Sequence, residues 1–243
     1  MLHQPALQRT RAMNARYAIY FAPSPDTLLW QAGCRWLGHD PERDVLLDRP
    51  QVPAYSLQRL QLLTSSPALY GLHATLKAPF RLAEGYTPVS LRNVLGRFAA
   101  QRSPFAMPPL EVTELSGFLA LCPVERCHAM HALADDCVTV FDEFRRTPDA
   151  EELARRRTTR LSPLQDALLQ KYGYPYVMEE YRFHMTLTER LDRVDARTLR
   201  PWLSDFLSGA LREPVVVDTI CLFMQERPGT AFRLTDRFPV GSA

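Results

Sequence analysis

The sequence lacks any long run of apolar residues. None approaches the roughly 20 consecutive residues that a membrane-spanning helix needs, so we predict no membrane partner. Glycine is scarce, with 10 scattered residues, and none of them builds the glycine-rich loop with which many proteins bind phosphates. The Gly-x-Ser-x-Gly pattern is missing as well, which argues against a serine hydrolase.

An excess of charge of either sign is also missing. The 243 residues include 29 basic and 27 acidic side chains, for a net charge of +2. Such a balance does not call for a long nucleic-acid partner, although a short or terminal RNA stays open as a substrate. Five cysteines are an odd number without the spacing of a disulfide scaffold, which predicts a reduced, cytoplasmic protein.

What the chain does have is enough hydrophobic sequence, 46%, to bury a sizeable core. Residues 1–15 carry arginines but no apolar signal core. We interpret them as a disordered leader, or as the consequence of a translation start placed too early, with Met13 as the true start. A transit peptide is the alternative. Residues 16–243 are predicted to form a single bilobed domain, and a monomer is favoured.

Strand and helix patterns alternate along the chain. Period-two segments bounded by turn residues predict strands at 17–21, 72–82, 110–121 (two strands around Gly117), 181–191, 215–223 and 231–238. Helices are predicted at 28–37, 55–63, 91–101, 126–145, 196–207 and in a segment that ends near Lys171. A strand, a helix and a pair of strands occur twice in this order. The prediction is an α+β fold, duplicated and two-lobed, with mostly antiparallel sheets around a central groove and helices outside.

One motif occurs in both of the equivalent strands. The first strand contains His73-Ala74-Thr75-Leu76 and the second His184-Met185-Thr186-Leu187, which places the histidines 111 residues apart. With six His and 16 Thr in the chain, chance alone gives about 0.4 His-x-Thr matches. Two matches in equivalent strands therefore indicate a function. Since strand side chains alternate between faces, each His and its Thr point the same way.

Three further residues are predicted to lie near these pairs. Alternation places Lys77 on the face of His73 and Thr188 on the face of His184. Tyr20, in the first strand, is expected either to line the groove or to pack in the core. We include all three as substrate-binding residues, with a salt bridge at the groove rim as the alternative for Lys77.

Two histidines that face one groove suit the hydrolysis of a phosphodiester. One, while neutral, deprotonates water, and the other, while charged, protonates the leaving oxygen, since histidine titrates near neutral pH. Hydroxyl groups and a lysine donate to the non-bridging phosphate oxygens. This chemistry requires neither a metal ion nor another cofactor, and we predict none.

Other groups of polar residues are open to two interpretations. The run Arg155, Arg156 and Arg157 is either a solvated helix face or a phosphate clamp, and Arg233 has the same two alternatives. The aromatic loop 172–176 either stacks on a base or sugar or is a packed turn. A group of Cys and His residues between 122 and 137 fits no standard zinc spacing well, so we favour helix packing there.

The chain resembles the two-histidine (2H) phosphoesterase superfamily, which includes the 2′-5′ RNA ligase-like proteins and cyclic-nucleotide phosphodiesterases. The resemblance rests on paired His-x-Thr-hydrophobic motifs and extends from Arg16 onward. It is strongest to a bacterial branch found in phosphonate-utilisation operons, through four segments: 16–23, 70–80, 173–177 and 183–188. The stretch 144–148 departs from the pattern of this branch.

The resemblance implies a pseudo-twofold fold with His73 and His184 as acid and base, and with Thr75 and Thr186 on the phosphate. It also implies a small phosphorylated substrate. Phosphonate breakdown passes through a ribose cyclic phosphate, so a small cyclic phosphodiester is expected. The alternatives are an RNA 2′,3′-cyclic phosphodiesterase or 2′-5′ RNA ligase, and a non-catalytic protein that binds a phosphorylated metabolite.

Overall fold

The computed structural model describes residues 15–157 and 161–241. Of the predicted leader, only Ala15 lies within the described residues, and it is buried. The strands are β1 (Arg16–Phe21), β2 (His39–Asp40), β3 (Val45–Leu46), β4 (Ala74–Phe80), β5 (Phe105–Ala106), β6 (Leu110–Leu115), β7 (Phe118–Pro123), β8 (Met185–Arg190), β9 (Val216–Val217), β10 (Thr219–Gln225) and β11 (Arg233–Pro239).

Helices connect and cover these strands. They are α1 (Leu28–Leu37), α2 (Leu57–Leu63), α3 (Ser65–Tyr70), α4 (Pro88–Ala100), α5 (His128–Val140), α6 (Ala150–Arg156), α7 (Pro163–Tyr172) and α8 (Arg193–Leu207), with short 3-10 turns at Met178–Glu180 and Ala210–Arg212. No helix in the described part of the chain is both long and apolar enough to cross a bilayer.

Seven strands of the described residues form one sheet in the order β11-β10-β1-β4-β8-β7-β6. Neighbouring strands run antiparallel, so the predicted α+β fold with mostly antiparallel strands is confirmed. The two strands that carry the His-x-Thr motifs, β4 and β8, lie side by side at the centre, with Ala74 opposite Met185. The two halves of the chain therefore meet within a single sheet.

Helix ends follow local capping chemistry. The hydroxyl of Thr27 accepts the backbone N–H of Trp30 and begins α1, and Gly38 ends it in the left-handed conformation. Thr87 caps α4, and Ser90 is the third helical residue of a capping box. The central strands are held from below by α1, because the indole N–H of Trp36 donates to the Leu187 carbonyl over 2.7 Å.

Both central strands contain β-bulges just after their His-x-Thr motifs. Between β1 and β4, one step on β1 from Tyr20 to Ile19 corresponds to two steps on β4, from Thr75 to Lys77. Between β7 and β8, two steps on β7 correspond to four on β8, from Thr186 to Arg190. Extra residues in a strand interrupt the alternation of side chains, so simple alternation from the histidine does not give the direction of Lys77 in β4 or of Thr188 in β8.

Candidate active site

An open groove of about 470 Å³ lies over the centre of the sheet, and we call it the histidine groove. It is lined by Arg16, Tyr20, Ser66, Pro67, Tyr70, His73, Thr75, Ala78, Pro79, Arg81, Tyr174, His184, Thr186 and Pro228. The structure thus brings together both histidines and both threonines of the sequence motifs, although 111 residues separate the two motifs along the chain.

The ring of His73 is fixed by the turn that precedes β4. Its Nδ1 lies 2.9 Å from the carbonyl oxygen of Gly71. Gly71 has φ +74°, and a Cβ there would meet the Pro41 side chain at 2.6 Å, so this turn requires glycine. Because a carbonyl oxygen can only accept, Nδ1 must carry the proton, which leaves Nε2 for proton exchange with a substrate.

His184 is held in the same way in the second half of the chain. Its Nδ1 lies 2.8 Å from the carbonyl oxygen of Arg182, two residues earlier, as in His73 and Gly71. The same tautomer follows, again with Nε2 left for proton exchange. The repeated backbone contact shows that the two motifs place their rings by one local geometry.

The surroundings of the two rings differ. His73 stacks on Tyr20 with ring centroids 3.9 Å apart, whereas His184 meets Phe118 at 5.7 Å in a tilted arrangement. Burial, aided by the nearby charge of His184, lowers the pKa of His73 to about 4, against the opposing effect of the Gly71 carbonyl. Burial lowers the pKa of His184 as well, opposed by the carbonyl of Arg182.

Thr75 and Thr186 are partly buried and line the histidine groove. The pairing of Ala74 with Met185, continued by one residue in each direction, places Thr75 opposite His184 and His73 opposite Thr186. Each histidine therefore has a threonine next to it on its own strand and another across the strand junction. Such a square of two bases and two hydroxyls suits one tetrahedral phosphate.

Lys77 does not share the face of His73, so that prediction is wrong. Its side chain is buried, with 3% of the residue exposed, and its Nζ donates to the Val138 carbonyl at 2.9 Å and to Asp142 at 3.3 Å. The bulge in β4 is the cause, because it turns Lys77 away and brings Ala78 to the groove. Lys77 instead satisfies a carbonyl in the last turn of α5, where a cation is favourable.

Thr188 is deflected in the same manner, and the prediction that it faces the groove is also wrong. It is 1% exposed. Its hydroxyl accepts the backbone N–H of Leu119 at 2.9 Å and donates to the Glu189 carbonyl at 2.8 Å. These bonds satisfy backbone groups that the bulge in β8 takes out of the ladder, so the role of Thr188 is structural.

Tyr20 lies beneath His73 instead of extending into the groove. It borders the groove but is only 1% exposed, and its ring packs on His73, Phe223 and Phe232. Of the two expectations for Tyr20, core packing describes its surroundings better. Its direct contact with the site is through the imidazole of His73.

The other cationic candidates are accounted for by ion pairs or lie outside the description. Arg233 pairs with Asp44 at 3.2 Å, and Arg157 with Asp166 at 2.6 Å; neither lines the histidine groove. The side chains of Arg155 and Arg156 lie outside the described residues. From the aromatic loop, Tyr174 lines the groove, while Tyr176 borders a neighbouring cavity.

The Cys and His residues between 122 and 137 do not converge. Among the residues that the structure describes, no three His, Cys, Asp or Glu side chains are grouped as ligands of one metal ion. His131 packs edge-on against Tyr181 at 5.0 Å, and Cys127 and Cys137 belong to the hydrophobic core. All five cysteines are free thiols.

Sequence analysis missed several groove residues, above all Arg16, Arg81 and Tyr70. Arg81 lies just beyond β4, and a basic residue two positions after Pro79 on a motif strand is a signal that could have pointed to it. Arg16 begins β1, where only the apolar residues that follow were informative. Tyr70 ends α3, and its ring lies 6.0 Å from His73.

A second cavity, which we call the side pocket, adjoins the groove next to His184 and has a volume of about 450 Å³. It shares Thr75, Ala78, Tyr174 and His184 with the histidine groove. Its other lining residues are Leu76, Leu115, Ser116, Phe118, Gln165, Tyr176, Val177, Glu180, Tyr181, Arg182 and Arg190. Thr75 and His184 therefore border both cavities, whereas His73 and Thr186 line only the histidine groove.

Two curated relatives, both named "Ribose 1,5-bisphosphate phosphokinase PhnN", are 37% identical to the chain: one from Janthinobacterium sp. (strain Marseille) over 97% of it and one from Laribacter hongkongensis (strain HLHK9) over 90%. The chain spans about half of their length, 53% and 50% respectively.

A solved structure described as "Crystal structure of phosphoesterase" is 13% identical, with coverage of 93% of this chain and 98% of that one and a TM-score of 0.37, and no property is carried over from it. The family described as "Protein of unknown function (DUF1045)" matches residues 75–233. This match covers more than half of the chain and includes both threonines and His184, and the chain therefore belongs to the DUF1045 family.

Proposed function

We propose that the chain is a phosphoesterase that opens a small cyclic phosphodiester by acid–base catalysis between His73 and His184. The observation that carries the proposal is the pair of equivalent imidazoles in one groove, each with Nδ1 bound to the carbonyl two residues earlier. Both rings thus offer the same nitrogen, Nε2, to a bound substrate. A resting arrangement of this kind suits two coupled proton transfers.

His73 acts as the base and His184 as the acid. The lower pKa of about 4 keeps His73 neutral in the mildly acidic range, so the first proton taken up by the pair resides on His184. His73 removes a proton from water as the water oxygen bonds to phosphorus. One ring P–O bond breaks, and His184 protonates the departing oxygen. The product is a phosphate monoester with a free hydroxyl.

Thr75 and Thr186 donate hydrogen bonds to the non-bridging oxygens of the phosphate. Both hydroxyls border the groove beside the histidines, and charge-assisted bonds of this type stabilise the transition state as its negative charge shifts. The proposed reaction needs no metal ion, since the two histidines supply both proton transfers.

A ribose phosphate is the substrate that the relatives suggest. Their name refers to ribose 1,5-bisphosphate, and the groove, of about 470 Å³, has the size of a small ligand. The phosphokinase activity in that name is not part of the proposal, because this chain has no glycine-rich phosphate loop. We place the enzyme in the cytoplasm as a monomer, with the phosphorylated metabolite as its partner.

A second function is favoured by one feature of the groove. Tyr70 and Tyr174 border it, and aromatic rings accept nucleobases by stacking. Hydrolysis of RNA ends that carry a 2′,3′-cyclic phosphate would use the same two histidines.

The test is a turnover assay with ribose cyclic phosphates, cyclic nucleotides and RNA ends with a 2′,3′-cyclic phosphate, all in the presence of EDTA. We expect ribose cyclic phosphate to be opened, and each of His73→Ala and His184→Ala to reduce the rate by about 10²–10⁴-fold. His128→Ala, at an exposed position on α5, is the matched control and should retain full activity.

Each other result has a definite meaning. A preference for RNA ends would establish the second function. Binding without turnover across the whole panel, seen as thermal stabilisation by ligands, would replace the enzyme with a binding protein. Full activity of either His→Ala variant would refute the two-histidine mechanism.

A further inference from the structure

The side pocket borders one histidine of the pair and not the other. His184 and Thr75 line both cavities, whereas His73 lines only the histidine groove. In the proposed reaction, His73 takes the proton of the attacking water, and the leaving oxygen departs on the far side of the phosphorus, because the attacking and leaving oxygens lie roughly in line. The side pocket therefore lies beside the acid, where a group attached to the leaving oxygen extends.

A cyclic phosphodiester makes no use of this second cavity. Its leaving oxygen stays on the same sugar when the ring opens, and the histidine groove alone, of about 470 Å³, has the size of a small ligand. The side pocket adds about 450 Å³, which is again the size of a small ligand. A linear phosphodiester, which splits into two molecules, is the substrate that fills both cavities.

Aromatic rings line the side pocket. Phe118 is partly buried, and its ring lies 5.7 Å from that of His184. Tyr176 contacts Tyr174 edge-on at 5.6 Å, and 43% of its surface is exposed. Rings of this kind offer faces and edges against which a flat aromatic group packs. The lining therefore favours a planar ring over a flexible polar chain.

Polar groups of the side pocket suit the edge of a heterocycle. The Nε2 of Gln165 donates to Oε2 of Glu180 at 2.9 Å, and its Oε1 accepts the backbone N–H of Ser162 at 3.0 Å. These bonds orient the amide and the carboxylate, and both groups have further hydrogen-bonding capacity. The exposed residues Arg182 and Arg190 complete the polar part of the lining. Donors and acceptors thus accompany the rings, as the recognition of a nucleobase requires.

We propose that the side pocket binds a flat heterocycle on the leaving group, and that the chain hydrolyses linear phosphodiesters whose departing alcohol carries such a ring, as a nucleoside does. The inference rests on the proposed function and adds a second substrate class for the same site. The water oxygen bonds to phosphorus as His73 takes a proton from it, the P–O bond to the alcohol breaks, and His184 protonates the alcohol oxygen. A phosphate monoester remains in the histidine groove, and the free alcohol leaves from the side pocket.

The first experiment compares two linear phosphodiesters of ribose, only one of which has a base on the departing alcohol. In one, the leaving oxygen belongs to the 5′-hydroxyl of adenosine, and in the other to the same hydroxyl of methyl riboside, so the two leaving groups have similar acidity. We expect wild-type kcat/KM to be at least about tenfold higher for the adenosine diester, because the stacking of one base on aromatic side chains provides this much or more.

Tyr176 is the residue to vary, because it lines the side pocket and not the histidine groove. Tyr176→Ala should reduce the preference for the adenosine diester at least about fivefold, whereas Tyr176→Phe keeps the ring and should keep the preference. Tyr86→Ala removes a ring that lines neither cavity, so it is the matched control and should show the wild-type preference.

Equal kcat/KM for the two diesters, or an undiminished preference in Tyr176→Ala, would overturn the inference. The wild-type comparison decides even where a variant fails to fold, which thermal melting identifies. Opening of ribose cyclic phosphate in the same assay would leave the proposed function in place.

Binding of adenosine separates the two proposals, since it requires no turnover. With the His73→Ala protein, titration calorimetry should show that adenosine binds at least about tenfold more tightly than methyl riboside, and that Tyr176→Ala in the same background removes most of the difference. This result, together with a wild type that turns over no phosphodiester, would refute the phosphoesterase and retain the heterocycle site. Equal binding of both ligands, or adenosine binding that Tyr176→Ala leaves unchanged, would refute the heterocycle site, whatever the enzyme activity.

Discussion

The strand of His73 and the strand of His184 share one motif, one backbone contact and a bulge after the motif, but their neighbours differ. On β1, Tyr20 pairs with Thr75, and on β7, Ala120 occupies the equivalent position opposite Thr186. The Tyr20 ring stacks on His73 at 3.9 Å, whereas His184 meets the Phe118 ring at 5.7 Å in a tilted arrangement. Burial lowers the pKa of both imidazoles, and that of His73, which stacks on Tyr20, falls to about 4.

Unequal proton affinities are what an acid–base pair needs. Two identical histidines would compete for the same proton, whereas a buried, stacked His73 yields it to His184. Four sets of variants test this comparison, in order of decreasing expected effect.

Removal of either ring should have the largest effect, and the leaving group should distinguish the two. With an alkoxide leaving group, His73→Ala and His184→Ala should each lose about 10²–10⁴-fold in kcat. With a nitrophenyl phosphodiester, whose leaving group needs no proton, His184→Ala should lose much less and His73→Ala just as much. Steady-state rates on both substrates provide the measurement. Equal losses in both variants on the nitrophenyl substrate would contradict the assignment of His73 as the base and His184 as the acid.

Replacement of the threonines should have the next largest effect. Thr75→Val and Thr186→Val each remove one donor to the phosphate without a large change in volume, so kcat/KM should fall about 10–100-fold, as expected for one hydrogen bond to a charged group. Thr113→Val, on β6 away from the groove, serves as the control. Unchanged kinetics in both groove variants would show that the phosphate lies elsewhere.

Loss of the Tyr20 ring should make the surroundings of His73 more similar to those of His184. In Tyr20→Ala, water regains access to His73, and we expect its pKa to rise from about 4 by about one to two units, because burial is the main cause of the depression. Tyr20→Phe keeps the ring and should keep the low pKa. An NMR titration of the His73 imidazole measures the change. A pKa that stays near 4 in Tyr20→Ala would show that the Tyr20 ring is not the cause of the low pKa.

The smallest kinetic effect should belong to Lys77. Its ammonium faces Val138 and Asp142 instead of the groove, so Lys77→Met should change kcat/KM less than about threefold, below the effect of one lost hydrogen bond. Stability should fall by about 1–3 kcal/mol, since the Val138 carbonyl loses its partner. Denaturant unfolding and steady-state kinetics measure both quantities, and a loss as large as that of Thr75→Val would place Lys77 at the phosphate.

The sequence was sufficient for the α+β fold and for the two His-x-Thr strands, because both depend on strong local patterns. It was not sufficient where the pairing between strands decides which way a side chain points. Alternation alone put Lys77 and Thr188 in the groove, and bulges set by the neighbouring strands turned both away. Arg16 and Arg81 were missed because only the folded sheet places the two residues, which are distant in sequence, at one groove.

The pH dependence of kcat/KM tests the acid–base pair most directly. As the pH rises through about 4, His73 becomes neutral and can act as the base. The pKa of His184 is lowered from its ordinary value of 6.5, so a further rise in pH removes its proton before pH 6.5 is reached, and His184 can then no longer act as the acid. We therefore predict a bell-shaped profile with its maximum between these values. His184→Asn should abolish the alkaline limb. A rate that keeps rising through pH 6.5, or an alkaline limb that persists in His184→Asn, would contradict the account.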